Sequence, residues 1–243
     1  MRSSNPVFKS IERDYAYESA NQATYRGITI KTLSLLIIAV VTGLFAIMYL
    51  PFEVVYGMMF VASIVALISV IIATRSPRLA MPFGILYSIS EGLLLGVLTA
   101  VFEMIVPGVA FTAILITLVI FFVMLFLYSS RTIRVTQRFT KIMYVGLFSI
   151  LLYFIIFGIL AFFGSALVLS VMANPVANII VGVIMIIFGS LMLTIDFDRA
   201  EMLVEGGADK RYEWIAAIGL MVTIIWIYIE VLRVVAIIAS RRD

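Results

Sequence analysis

Seven apolar runs of about 20 residues, cut apart by short polar loops, leave this chain few ways to fold. A run of that length crosses the hydrocarbon core of a bilayer as a helix. Inside lipid, each backbone N–H and C=O must find its partner within the segment itself. The runs are Ile28–Leu50, Val54–Thr74, Ala80–Phe102, Val109–Tyr128, Met143–Phe163, Val176–Ile195 and Trp214–Ile238. Pro51, Pro107 and Pro175 stand at segment edges, where a missing backbone donor is tolerated. The composition agrees: 64% of the 243 residues are hydrophobic and 13% charged, against about 45–50% and about 25% in a soluble domain. The expected architecture is an all-α integral membrane protein, a seven-transmembrane-helix bundle over residues 28–238. A polar tail, 1–27, precedes it and a short C-terminal tail, 239–243, follows.

Basic residues orient the bundle. Arg2, Lys9, Arg13 and Arg26 precede the first segment, and Lys31 lies just inside it. Arg75 and Arg78 follow the second, Arg131, Arg134, Arg138 and Lys141 the fourth, and Arg199, Lys210 and Arg211 the sixth. The alternate loops carry no Lys or Arg. This positive-inside pattern predicts a multi-pass protein of the cell membrane with a cytoplasmic N-terminus. Seven crossings place Arg241 and Arg242 on the other side. The length of Trp214–Ile238, about 37 Å as a helix, supports a full crossing all the same.

The same inventory excludes functions. There is no Cys and no His, so disulfides, thiolate metal sites and a histidine pH switch are absent. Trp214–Ile238 holds no Lys for a Schiff base, no His-Glu-x-x-His exists, and no glycine-rich phosphate loop precedes a Lys. Gly206-Gly207 reads as a turn. No enzyme activity and no resident cofactor are expected. The spread of basic residues over several loops argues against nucleic acid. No apolar run precedes a cleavage site in the polar tail, so no signal peptide is expected.

Acids inside spans are where function is to be sought, because each costs roughly 2.5–3.5 kcal/mol at a helix centre. Glu91 lies mid-span in the third segment, Glu230 in the seventh, and Asp196 closes the sixth. Glu91 has no basic residue in its own segment, whereas Glu230 has Arg233 three residues on and on the same face. Asp196, beside Asp198, Arg199 and Glu201, reads equally as a hydrated helix end. Gly84, Ser88, Gly92, Gly96 and Ala100 form a small-residue ladder beside Glu91. Such ladders most often serve close helix packing alone. Gly182, Gly189 and Asp196 share one stripe, and Gly219, Thr223, Trp226, Glu230 and Arg233 another. An interior seam of the third, sixth and seventh segments is therefore expected. Counted from the inner ends, Glu91 lies about 16 Å deep and Glu230 about 24 Å, close enough to meet. Asp196, near the inner surface, lies closer to Gly219 and Thr223.

The run Ser90-Glu91-Gly92-Leu93-Leu94-Leu95-Gly96, then Val106-Pro107-Gly108, Tyr128-Ser129-Ser130-Arg131, Asp196-Phe197-Asp198, Glu213-Trp214 and Trp226-Ile227-Tyr228-Ile229-Glu230-Val231-Leu232-Arg233, with the opening Met1-Arg2-Ser3-Ser4-Asn5-Pro6-Val7-Phe8, resembles the bacterial branch of the Bax inhibitor-1/YccA family over nearly the whole chain. The resemblance implies a bundle with a central last helix and a pH-sensitive calcium leak. It also implies a proton-sharing pair of acids on the sixth and seventh helices. Asp196 matches the first of these. The second falls on Glu230 or on Thr223, depending on whether Tyr228-Ile229-Glu230 or Leu232-Arg233 anchors the comparison, and depth favours Thr223. The second segment holds no acid to match one in a related leak, and Glu91 is the candidate to replace it.

The expectation is a proton-gated leak for calcium or another cation, with Asp196, Glu91, Glu230 and Thr223 at the gate and Asp196 and Glu91 along the ion path. Two carboxylates in a low-dielectric site cannot both ionise easily, so they share a proton. The rival expectation is a non-conducting regulator that binds another membrane protein, such as a quality-control protease, through the tail with Tyr15, Tyr17 and Tyr25.

Overall fold

A computed structural model of the chain describes residues 21–241. Residues 1–20, with most of the expected tail and its Tyr15 and Tyr17, lie outside the described residues, as do residues 242 and 243. Within the described residues the order is α1 (Tyr25–Tyr49), α2 (Phe52–Arg75), α3 (Ala80–Ile105), α4 (Val109–Ser129), α5 (Gln137–Phe162), α6 (Ala166–Ala173), α7 (Pro175–Glu205) and α8 (Tyr212–Ala239). All but α6 are long and apolar enough to span a membrane. The chain is a seven-span membrane bundle.

Local chemistry sets the helix ends. Thr24 caps α1 by accepting from the Gly27 N–H at 3.0 Å, and Thr136 caps α5 by accepting from Phe139. Asn174 accepts from the Val176 and Ala177 N–H groups while Pro175 takes the first helical position. Gly108 turns into α4 with φ +82, a backbone state that costs glycine little. Inside the spans, hydroxyls of Thr32, Thr42, Ser88, Thr117 and Ser190 donate to the carbonyl one turn back. Each thereby keeps a polar group satisfied in an apolar surround.

The last helix is the core of the bundle. α8 touches α1, α2, α3, α4 and α7. Ala217, Ile218 and Met221 are buried in a cluster with Leu35, Ala66 and Tyr87 of α1, α2 and α3. Leu220, Ile227, Val231 and Leu232 are buried in another with Ala113, Met124, Leu193 and Phe197 of α4 and α7. α8 thus separates two cores. α5 is peripheral, touching α6 and α7, with Met143 packed on Met192 and Ile195.

Three expectations change. The small-residue ladder of α3 divides between α1 and α8 and does not face α7: a Cβ on Gly43 would come within 2.8 Å of the Gly92 carbonyl, and one on Gly96 within 2.8 Å of Gly43 Cα, while a Cβ on Gly84 would come within 2.8 Å of Ile218 and the Ser88 hydroxyl lies 3.3 Å from the Met221 sulfur of α8. Periodicity marks the face of a helix but not the helix that covers it. The sixth span runs to Glu205, so Asp196 lies well inside α7 rather than at its end. The loop after the fifth span folds into α6, too short to register as a hydropathic segment.

Candidate functional site

Asp196 and Thr223 meet where α7 and α8 pack. The Asp196 side chain is buried, with the residue 8% exposed, and Thr223 is buried as well. Thr223 Oγ1 lies 2.5 Å from Asp196 Oδ2 and 3.3 Å from the Gly219 carbonyl. A hydroxyl has one proton, so it donates to the carboxylate in preference to the carbonyl. Were Asp196 protonated, the direction would reverse, because a hydroxyl oxygen also accepts. The contact therefore satisfies Asp196 in either protonation state. That distinguishes it from two facing carboxylates, which repel once both are ionised.

Among the described residues, Asp196 has no basic partner in contact. Arg199, one turn on, is hydrogen-bonded to the Tyr144 hydroxyl of α5. Neither α4 between Val109 and Ser129 nor α8 between Tyr212 and Glu230 carries a Lys or Arg. Apolar walls close the site: Leu193, Phe197 and Leu220 on one side, Ile195 and Met192 on the other.

Glu230 is also buried, 6% exposed, but it pairs with Arg233 on its own helix. It faces α7, since a Cβ on Gly182 would stand 3.8 Å from Glu230 Oε2. Thr223 and Glu230 are two turns apart, about 10 Å along α8, and Glu230 makes no bond to Asp196. Glu91 stands apart from both. It is half-buried and forms no hydrogen bond or ion pair among the described residues. It shares its helix face with Tyr87 and Leu95, which pack into the α1/α2/α8 cluster. Glu230 looks the opposite way, into α7. Depths within reach of each other are therefore not enough to bring Glu91 and Glu230 together.

The structure assembles further charged contacts at the base of the bundle that the sequence reading passed over. Glu213, at 0% exposure, accepts from the Thr24 N–H at 2.8 Å and the Thr24 hydroxyl at 3.1 Å, and pairs with Lys31. The Lys31 ammonium also lies 5.3 Å from the Trp214 ring centroid. Gly27 is required there, as any Cβ would collide with the Glu213 carboxylate. Just before α1, Ala23 N–H donates to Ala208 O and Lys210 N–H to Asn21 O, both at 2.7 Å. Residues 21–24 thus strap the α7–α8 loop. Lys31 inside the first span and Glu213 at the start of the last were a legible signal, opposite charges at neighbouring depths. Nearby, Glu201 accepts from Tyr128 and pairs with Arg131. The hydrogen bond that Arg131 donates to Glu201 raises the pKa of its guanidinium above the ordinary value. Arg131 adopts φ +57 as α4 ends.

Among the described residues, no three acidic side chains gather where they could hold a metal ion. Calcium takes six to eight oxygens, and Asp196 with Thr223 offers one carboxylate and one hydroxyl.

The family model described as Bax inhibitor 1 like matches residues 5–240, nearly the whole chain. No curated protein matches the chain.

Proposed function

The chain belongs to the Bax inhibitor 1-like family, and from that premise we propose that it is a cation leak of the cell membrane, calcium being the first candidate, gated where α7 meets α8. The observation that carries this reading is the buried Asp196 carboxylate, satisfied among the described residues by a single neutral hydroxyl and by no cation in contact, Arg199 acting on it only at a distance. A lone carboxylate in an apolar surround is costly to keep ionised. An approaching cation lowers that cost. When α7 and α8 separate, Asp196 loses Thr223 and becomes the acidic oxygen on the path. When the helices close, the hydroxyl takes the cation's place.

Proton linkage follows from the same atoms. Protonated Asp196 is neutral and attracts no cation, so flux rises with pH as this group ionises. Because Thr223 carries no second proton, the transition follows about one proton rather than the coupled pair of a dyad. Glu91, apart from the pair, contributes negative potential to the path without taking part in the latch.

Calcium entry into liposomes containing the purified protein, followed across pH, tests this. Asp196→Asn is expected to abolish the pH dependence. Glu91→Gln is expected to reduce flux while leaving the pH midpoint in place. Unaltered flux and midpoint in both variants would falsify the gate.

A second reading, a non-conducting regulator of another membrane protein, has one observation in its favour. Among the described residues α5 packs mainly on α6 and α7 and leaves most of its surface exposed. Deleting residues 1–20 discriminates: the regulator loses its effect on a partner, whereas the leak keeps its calcium flux.

A further inference from the structure

The same base of the bundle also holds an open groove of about 320 Å³, lined by Arg75, Ser76, Pro77, Arg78, Asp209, Arg211 and Tyr212. Its walls come from the α2–α3 turn on one side and from the start of α8 on the other. Arg75 and Arg78 are exposed and take no hydrogen bond or ion pair among the described residues. Asp209 is the one acid in the lining, and it reaches Arg211 at 3.8 Å. Three guanidinium groups thus face one carboxylate, leaving two positive charges without a counter-charge.

The backbone adds to this field. Leu79 before α3 and Arg211 before α8 give their helices no side-chain cap. The N-terminus of α3 follows Arg78 on one wall, and a helix N-terminus carries a partial positive charge. At α8 the first N–H groups are already taken: Arg211 N–H donates to Asp209 Oδ1 at 2.8 Å and Tyr212 N–H to the Asp209 carbonyl at 2.9 Å. A second groove of about 270 Å³, lined by Asn21, Lys31, Asp209, Lys210, Arg211 and Trp214, adjoins the first across Arg211 and Asp209.

We infer that the groove between Arg75, Arg78 and Arg211 binds a phosphate group, either that of an anionic lipid headgroup or free phosphate. Planar guanidinium forks match phosphate oxygens in pairs. A tetrahedral anion is the ligand that uses three of them, with the partial positive charge at the start of α3 beside it. Arg75 closes α2 and Arg78 precedes α3, so the groove sits at the rim of the spans, where headgroup phosphates lie. Basic pockets between helix ends at an inner leaflet are suited to such headgroups. This inference is independent of the gate, because none of its residues touches Asp196 or Thr223.

The test titrates the full-length protein in neutral detergent with three probes and reads the thermal unfolding midpoint. The probes are short-chain phosphatidylglycerol, phosphatidylcholine of equal chain length and inorganic phosphate. A saturable rise with phosphatidylglycerol, well below the concentration at which the other two act, assigns the site to a lipid headgroup. An equal rise with inorganic phosphate at similar concentration assigns it to free phosphate. The Arg75→Gln/Arg78→Gln variant is expected to weaken the effective probe by about tenfold or more, as charge-assisted bonds are lost. The Arg134→Gln/Arg138→Gln variant, exposed and outside the groove, is expected to stay within about twofold. Arg211→Gln, on the opposite wall, serves as a second variant should the first fold poorly, with a similar loss expected. The inference is overturned if no probe raises the midpoint, if the groove variants bind like the unaltered protein, or if the Arg134/Arg138 variant loses as much.

Discussion

At the scale of single residues, the proposed gate turns on one substitution of chemistry: a hydroxyl at Thr223 where a dyad would have a second acid. Thr223→Asp restores that acid. It is expected to steepen the pH dependence of flux, since two carboxylates at that distance titrate as a coupled pair. Thr223→Val keeps the shape and removes the hydroxyl. It leaves a buried Asp196 oxygen without its partner, at a cost of about 1–3 kcal/mol, read as a lower unfolding midpoint and a raised basal flux. The sequence alone left the partner of Asp196 open between Glu230 and Thr223, because the spacing of Tyr228-Ile229-Glu230 and that of Leu232-Arg233 supported different alignments. Depth along the helices favoured Thr223, and Thr223 is the residue that touches Asp196. Glu230 is instead held by Arg233, as their spacing on one face allows. Glu213 was passed over because an acid at a helix start looks like a surface residue, and only the tertiary fold buries it beneath α1.

At the scale of elements, the seven spans were legible from hydropathy to within a few residues for most ends. The exceptions have physical causes. Asp196, Asp198 and Glu201 read as the edge of water, yet their partners lie on α4 and α8 and α7 runs on to Glu205. The start of α5 was masked by Arg138 and Lys141, polar residues that a helix end at the membrane surface accommodates readily. The α1–α3 seam rests on glycines, where backbones touch. Gly92→Val forces its side chain onto the Ala39 backbone. Overpacking costs about 1–3 kcal/mol or more when no side chain can give way. A clear fall in thermal stability in detergent is expected. Gly57→Val, where a Cβ meets nothing within 4 Å, is the control and should leave the midpoint unchanged.

For the whole molecule, the alternation of basic and neutral loops predicts sidedness, and the absence of Cys makes this directly measurable. In cells, Thr132→Cys and Ala173→Cys, both exposed on opposite ends of the bundle, are expected to differ in labelling by a membrane-impermeant thiol reagent. Ala173→Cys reacts from outside; Thr132→Cys reacts only after the membrane is opened. The reverse result would invert the topology and place the basic groove and the strap on the outer surface.

The contact between Lys31 and Glu213 constrains the motion of the entire assembly. Replacing Lys31 with Met strands a fully buried carboxylate, at a cost of about 3–5 kcal/mol; denaturation in detergent would register it. In the intact protein the feet of the first and last helices are bolted together, with the chain just before the first helix stitched to the neighbouring hairpin. The central shaft cannot slide like a piston without dragging its anchor along. In the proposed gate, opening therefore falls to α7, which swings about a stationary axle.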